Sequence, residues 1–288
     1  MTKPQNLTTK IFLDGGDSKE TKEIITLLGF LDGQTTNPTL IAKNPNAQER
    51  LAKGDTFTEE EIYDFYHGVV KEIATLVPEG SVSVEVYADK NTATDEMFTQ
   101  GKEMFSWIPN AHIKYPTTAA GLAAARRSVE VNMRVNMTLV FTQEQAAAVY
   151  VATRGAKKSD VFVSPFVGRL DDRGENGMDL IKNITKMYKA GDEHVKVLVA
   201  SVRNMDHFLY AIQLGSDIIT APFKILKEWG GQGMPIPKDD FIYPAKGLKE
   251  IPYREINLSK DWREFDLTHE LTGRGVERFA DDWNALIR

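Results

Sequence analysis

Apolar runs along this chain repeatedly end on a residue that is charged or forms hydrogen bonds. Asp14 closes Ile11-Phe12-Leu13, and Thr35, Thr36 and Asn37 close a second run. Glu85 lies in Val82-Ser83-Val84-Glu85-Val86, and Lys114 closes His112-Ile113-Lys114. Asn136 and Thr138 interrupt Val135-Asn136-Met137-Thr138-Leu139-Val140, Ser164 follows Val161-Phe162-Val163, and Ser201 follows Val197-Leu198-Val199-Ala200. Strand alternation puts Asn136 with Thr138 on one face, and Ser83 with Glu85. The set is an amine, two carboxylates, and several hydroxyls and amides, which suits proton transfer and amine chemistry. The chain has no cysteine, so thiolate catalysis, disulfides and cysteine-ligated zinc are excluded. The histidines His67, His112, His194, His207 and His269 lack His-x-x-x-His spacing, and no metal is assigned. Any one of these strand-end groups taken alone reads better as an ordinary residue meeting solvent. Together they are better explained by convergence on one site, because each unpaired buried polar group costs about 1–3 kcal/mol.

Elements that would position them alternate between β-rich apolar runs and helical patterns, as in a parallel sheet or barrel. Strands are predicted near residues 10–14, 30–35, 81–87, 111–115, 135–140, 160–164, 195–200 and 216–220, enough to close an eight-stranded (β/α)₈ barrel. In such barrels chemistry sits at the C-terminal strand ends. Thr58 with Glu61 and Thr142 with Gln145 fit the capping box at helix starts. Gly29 and Gly215 suit left-handed helix C-caps. From Gly230 to Ile256 the pattern breaks into glycine, proline and charge, and a last amphipathic helix is predicted from about Val276, with Phe279, Ala280, Trp283 and Leu286 on one face. That helix is expected to pack on its own barrel.

The 288 residues, 42% hydrophobic, fit one barrel domain over 1–288 with residues 231–288 as its C-terminal extension. No run approaches the roughly 20 apolar residues of a membrane span, and the N-terminus lacks a signal-peptide core, so a cytoplasmic location is the default. A net charge of −6 argues against a broad nucleic-acid surface while leaving room for a basic pocket. Homo-oligomerisation is left open.

Thr35-Thr36-Asn37-Pro38-Thr39-Leu40-Ile41 and Ile113-Lys114-Tyr115-Pro116-Thr117 followed by Gly121-Leu122 resemble the two signatures of the transaldolase family. Val135-Asn136-Met137-Thr138-Leu139, Ser164-Pro165-Phe166-Val167-Gly168-Arg169 and Ala200-Ser201-Val202-Arg203-Asn204 resemble further family motifs, in the family's order. The resemblance spans residues 10 to about 230. It implies a cofactor-free enzyme that binds small sugar phosphates, with Lys114 forming an imine with a ketose carbonyl and Asp14 as acid/base. It implies Glu85, Asn136 and Thr138 around a catalytic water, Thr35, Asn37 and Ser164 at substrate hydroxyls, and Arg169, Ser201 and Arg203 at the phosphate. Two departures stand out: Gly15 follows Asp14 where a hydroxyl residue is common, and Tyr115 follows Lys114 where an aliphatic one is usual. By alternation Tyr115 should face the helices.

Imine chemistry needs a neutral lysine, favoured by burial. Glu85 is therefore expected to act through water rather than in a tight ion pair with Lys114. Backbone N–H groups around Ser201-Val202-Arg203-Asn204 are expected to assist the phosphate site. Sequence alone also allows Arg169 a surface ion pair with Asp171 or Asp172. Three activities fit: a transaldolase moving a dihydroxyacetone unit, a fructose-6-phosphate aldolase releasing it, or a non-catalytic sugar-phosphate binder. Phe166 favours transfer, because related aldolases place a tyrosine there, and Glu85 points the same way, because they tend to carry an amide.

Overall fold

The computed structural model describes residues 2–189, 191–238 and 240–287. In chain order its elements are β1 (Lys10–Asp14), α1 (Ser18–Leu28), β2 (Gly33–Thr35), α2 (Pro38–Ala42), α3 (Pro45–Ala52), α4 (Glu59–Leu76), β3 (Ser81–Glu85), α5 (Thr94–Phe105), β4 (Ala111–Pro116) and α6 (Ala119–Glu130). They continue as β5 (Val135–Val140), α7 (Gln143–Ala152), β6 (Val161–Pro165), α8 (Val167–Asp171), α9 (Gly177–Tyr188), β7 (Val195–Val199), α10 (Met205–Gln213), β8 (Ile218–Pro222), α11 (Phe223–Gly231) and α12 (Glu270–Asn284). The strands pair in parallel in sequence order, and β8 closes on β1. This is a (β/α)₈ barrel.

Two-residue alternation sorts each strand. Ile11, Leu13, Val82, Val84, Ile113, Val135, Met137, Val161 and Val163 face outward and are buried under the helices. Inside, the lower end is plugged by aromatic rings: Phe162 meets Phe12 edge-on at 6.1 Å and stacks on His112 at 4.0 Å. Gly33 is required there, since a Cβ would lie 2.6 Å from the Phe12 ring and 2.4 Å from the Ser81 carbonyl. Above the plug the interior positions are the polar strand ends. Tyr115 faces the helices as alternation requires. Its hydroxyl meets Ser128 at 3.0 Å, and Gly101 supplies the room an aliphatic residue would not have needed.

Both capping boxes form, and Gly29 and Gly215 take positive φ at helix ends. Differences lie at boundaries. β2 starts at Gly33 rather than residue 30, because Asp32 is engaged in the connector, accepting from Ile11 N–H and Lys3. α12 begins at Glu270, six residues before Val276, capped by the His269 ring. Gly273 and Gly275, poor helix formers, blurred that first stretch.

Between α11 and α12 the chain runs as a strap over the helix layer. It is tied by Gln213 to the Phe241 carbonyl, Tyr243 to Asp171, Asn183 to the Ile251 carbonyl and Gln145 to the Leu267 carbonyl. α12 then packs against α2 and the end of β5 on its own barrel. Thr272 donates to the Leu139 carbonyl, and Trp283 packs on Tyr63 and Tyr66.

Candidate active site

Strand register delivers the charged groups to one level. Glu85 pairs with Lys114, Lys114 with Asn136, Pro116 with Thr138, and Asp14 with both Thr35 and Pro222. The register shifts between Met137 and Val140, where Leu139 adopts φ 61°. Such irregularities re-aim side chains beside functional sites. The strand ends open into a cavity of about 180 Å³, lined by Asp14, Thr35, Asn37, Lys114, Thr138, Ser164, Phe166, Arg169, Ser201 and Arg203. Glu85 and Asn136 are buried just behind its surface.

Lys114 and Glu85 are each 3% exposed, and their Nζ and Oε2 lie 2.7 Å apart. This overturns the expectation that Glu85 avoids a tight pair. Parallel register sets the two side chains side by side with no room for an intervening molecule. The contact is ionic rather than a well-aligned hydrogen bond, since Oε2 lacks a donor in line. Nζ donates instead to the Thr36 carbonyl at 3.0 Å. Burial pushes the Glu85 carboxyl above its ordinary range, while Lys114 pulls it back. The backbone N–H of Glu85 donates to the Tyr66 hydroxyl. Thr36 spends its hydroxyl proton on the Ser83 carbonyl, so Tyr66 donates to Thr36. Burial also raises Tyr66, which keeps that proton in place.

Asp14 is likewise raised by burial, opposed by Lys114 and by the Thr35 hydroxyl donating to Oδ1 at 2.7 Å. Thr220, in the middle of β8, donates in turn to Thr35 at 2.6 Å. Ser164 donates to Asn136 Oδ1 at 2.6 Å, and Asn136 Nδ2 donates to Ser83 at 3.0 Å. The Asn136 amide thus has two protein partners, whereas the buried Thr138 hydroxyl has none. Asn37 uses its oxygen to cap α2 through Leu40 N–H.

At the other end of the cavity, cations converge. Arg169 is not in an ion pair with Asp171 or Asp172. Its guanidinium lies between the Phe166 ring at 5.2 Å and the Phe279 ring at 5.6 Å. Gly275 of α12 makes the space, because a Cβ there would sit 2.8 Å from Arg169 Nη1. Burial, then Arg278 and Arg203, push Arg169 down to about 10. Arg203 pairs with the exposed Asp172 at 2.9 Å and drapes over Gly168, where a Cβ would meet its Cγ at 2.4 Å. Ser201 holds φ 60°, a strained region for a residue with a side chain. The Arg203 N–H donates to His207 at 3.3 Å, so that amide is not free for an anion as expected.

Sequence reading missed Thr220, Tyr66, Lys43 and Arg278. Thr220 interrupts the apolar run Ile218-Ile219-Thr220-Ala221 and carries the same signal as Asn136. Arg278 and Lys43 line the cavity from helix ends and faces that carry no such mark.

The site is thus a buried lysine–carboxylate pair beneath a cluster of guanidinium groups at the mouth of a closed (β/α)₈ barrel. The family described as Transaldolase/Fructose-6-phosphate aldolase matches residues 11–288, and the chain belongs to it. A "Probable transaldolase" of Dehalococcoides mccartyi is 34% identical over 277 residues, covering 96% of this chain and 99% of that protein. One of Thermoplasma volcanium is 39% identical over 218 residues, 76% and 86% of the two chains, and one of Herpetosiphon aurantiacus 36% over 277 residues, 96% of each.

Proposed function

We propose that the chain is a transaldolase, moving a dihydroxyacetone unit from a ketose phosphate such as fructose 6-phosphate or sedoheptulose 7-phosphate to an aldose phosphate. The observation that carries this reading is that one cavity has a buried lysine at its floor and, at its rim, Arg169, which has no ion-pair partner among the described residues. Proton transfer from Lys114 to Glu85 creates a neutral amine and a neutral acid, two species that burial favours. The amine adds to the ketose carbonyl, and the Glu85 proton leaves with the carbinolamine hydroxyl as water, forming the imine. Thr138, whose hydroxyl lacks a protein partner, is the group we assign to that water. Asp14 takes the proton from the hydroxyl on the carbon beyond the breaking bond. The carbon–carbon electrons move into the protonated imine, giving an enamine and free aldehyde. An incoming aldehyde then reverses the sequence. The dianionic phosphate relieves repulsion among Arg169, Arg203 and Arg278, a charge-assisted contact worth about 1.5–3 kcal/mol per arginine.

These steps call for no metal, and a chelator is expected to leave the rate unchanged. The deciding assay supplies fructose 6-phosphate with and without erythrose 4-phosphate, and adds borohydride in a parallel tube. Transfer only when the acceptor is present, and a three-carbon adduct on Lys114, support the reading. Release of dihydroxyacetone as fast as transfer would replace it with an aldolase, and binding without turnover would replace it with a sugar-phosphate binder.

A further inference from the structure

Ser201 and Arg203 sit on a turn between β7 and α10 that includes a positive-φ serine, a conformation that persists only where the surroundings hold it. One hold is visible at the start of α8: Gly168 N–H donates to the Ser201 carbonyl at 3.1 Å. The other is His207, 1% exposed on the first turn of α10. Its Nδ1 accepts from the Arg203 backbone N–H at 3.3 Å, and its Nε2 lies 2.7 Å from Asp171 Oδ2. An imidazole that accepts at one nitrogen and donates at the other is fixed in a single tautomer. Asp171 is fixed in turn, with Oδ1 accepting from Gly177 N–H at 2.9 Å and Oδ2 also accepting from the Tyr243 hydroxyl at 2.9 Å. Tyr243 belongs to the strap and stacks on Tyr210 of α10 at 4.9 Å.

We propose that His207 is a positioning residue for anion recognition: it holds the Arg203 backbone through Nδ1, while Asp171 and Tyr243 orient its ring and join the strap to this turn. The proposal rests on the reading of Arg203 as a phosphate contact. It gives the strap a task at a cavity that none of its described residues lines. Burial raises the Asp171 carboxyl, but the hydrogen bonds from His207, Gly177 and Tyr243 outweigh it and hold the group ionised. Burial and Asp171 raise Tyr243, so the phenol remains a donor.

The two ring nitrogens can be separated by substitution. Asn places an oxygen where Nδ1 stands and cannot reach Asp171; Gln reaches Asp171 and offers nothing at Nδ1. The test compares His207→Asn, His207→Gln and Tyr243→Phe with Arg203→Ala, measuring kcat and KM for fructose 6-phosphate and for unphosphorylated fructose. The expected result is a KM for fructose 6-phosphate raised about tenfold by Gln, within about threefold of wild type for Asn, and raised about twofold by Tyr243→Phe. Values of kcat and of KM for fructose should stay put. If Arg203→Ala raises KM while the Asn and Gln variants match each other, the positioning role is wrong and the phosphate reading survives. If Arg203→Ala leaves KM unchanged, both fall. Equal losses on the two sugars would make His207 a structural residue only. Should the Gln variant not fold, an unchanged KM in Tyr243→Phe overturns the coupling to the strap.

Discussion

Lys114, Glu85 and Asp14 stand on strands whose register fixes them within the barrel interior, whereas Arg169, Arg203 and Arg278 come from a one-turn helix, a loop and the last helix. The first group is buried: Lys114 faces two carboxyl groups, both raised by burial toward the neutral acid and pulled back by the lysine. In the second group Arg203 pairs with Asp172 and Arg278 with Asp282, while Arg169 has no ion-pair partner among the described residues and is depressed by burial, then by Arg278 and Arg203. The floor is therefore complete without substrate and can move protons at little cost. The rim gains stability when an anion arrives. On the proposed function, chemistry is housed in the rigid part of the fold and recognition in the part built from connections, an arrangement that lets substrate preference vary without disturbing the reaction.

Breaking the floor should have the largest effect. Lys114→Met is expected to lower kcat by on the order of 10⁴ or more and to abolish the borohydride adduct, because the covalent route is lost. It also removes the charge that offsets burial at Glu85. A carboxyl raised in the folded state stabilises the fold least once the unfolded chain ionises, so stability should fall as pH rises above the ordinary glutamate range of about 4.3. Thermal unfolding of this variant at pH 5 and pH 8 should show a clear loss at the higher pH relative to wild type. Parallel pH dependence in the two proteins would mean that Glu85 and Lys114 are not energetically coupled.

Breaking the rim should change binding and spare the chemistry. Arg169→Ala is expected to raise KM for phosphorylated ketoses roughly tenfold to a hundredfold, the equivalent of about 1.5–3 kcal/mol, with dihydroxyacetone still trapped on Lys114 by borohydride. Comparable losses on phosphorylated and unphosphorylated donors would show instead that Arg169 serves to seat Phe166 against Phe279 of α12.

The same division explains what could be read before the fold was known. A charged side chain ending an apolar run is conspicuous, and once eight such runs close a barrel their ends must converge, so Asp14, Glu85, Lys114, Asn136, Thr138 and Ser164 were legible. The close Lys114–Glu85 contact was not, because it depends on the β3–β4 register and on the depth of both side chains. Arg278 reaches the cavity from α12, and Asp171 meets His207, 36 residues on, and Tyr243, 72 residues on, only through tertiary packing. Glycine carried part of the hidden information: Gly275 and Gly168 matter for the arginines that occupy the space they leave, which no local pattern discloses.

The smallest effect is expected where floor and rim meet, at Phe166. Its ring follows β6, lines the cavity with Lys114 and Ser164, packs edge-on against Phe141 at 5.9 Å and carries the Arg169 guanidinium over its face. On the proposed transaldolase mechanism, the enamine on Lys114 has two fates once the first aldehyde leaves: attack on a new aldehyde, or protonation and hydrolysis. Hydrolysis needs a donor near the reacting carbon and a held water. A phenyl ring offers neither, so the enamine persists until an acceptor comes. A phenol in that place supplies both while keeping the ring's packing. Phe166→Tyr should therefore raise acceptor-free release of dihydroxyacetone from fructose 6-phosphate severalfold and lower transfer to erythrose 4-phosphate, leaving KM for the ketose phosphate nearly unchanged. If release stays flat while KM rises, Phe166 belongs to the rim as a seat for Arg169, and the control of transfer over release must be sought in Glu85 and Thr138.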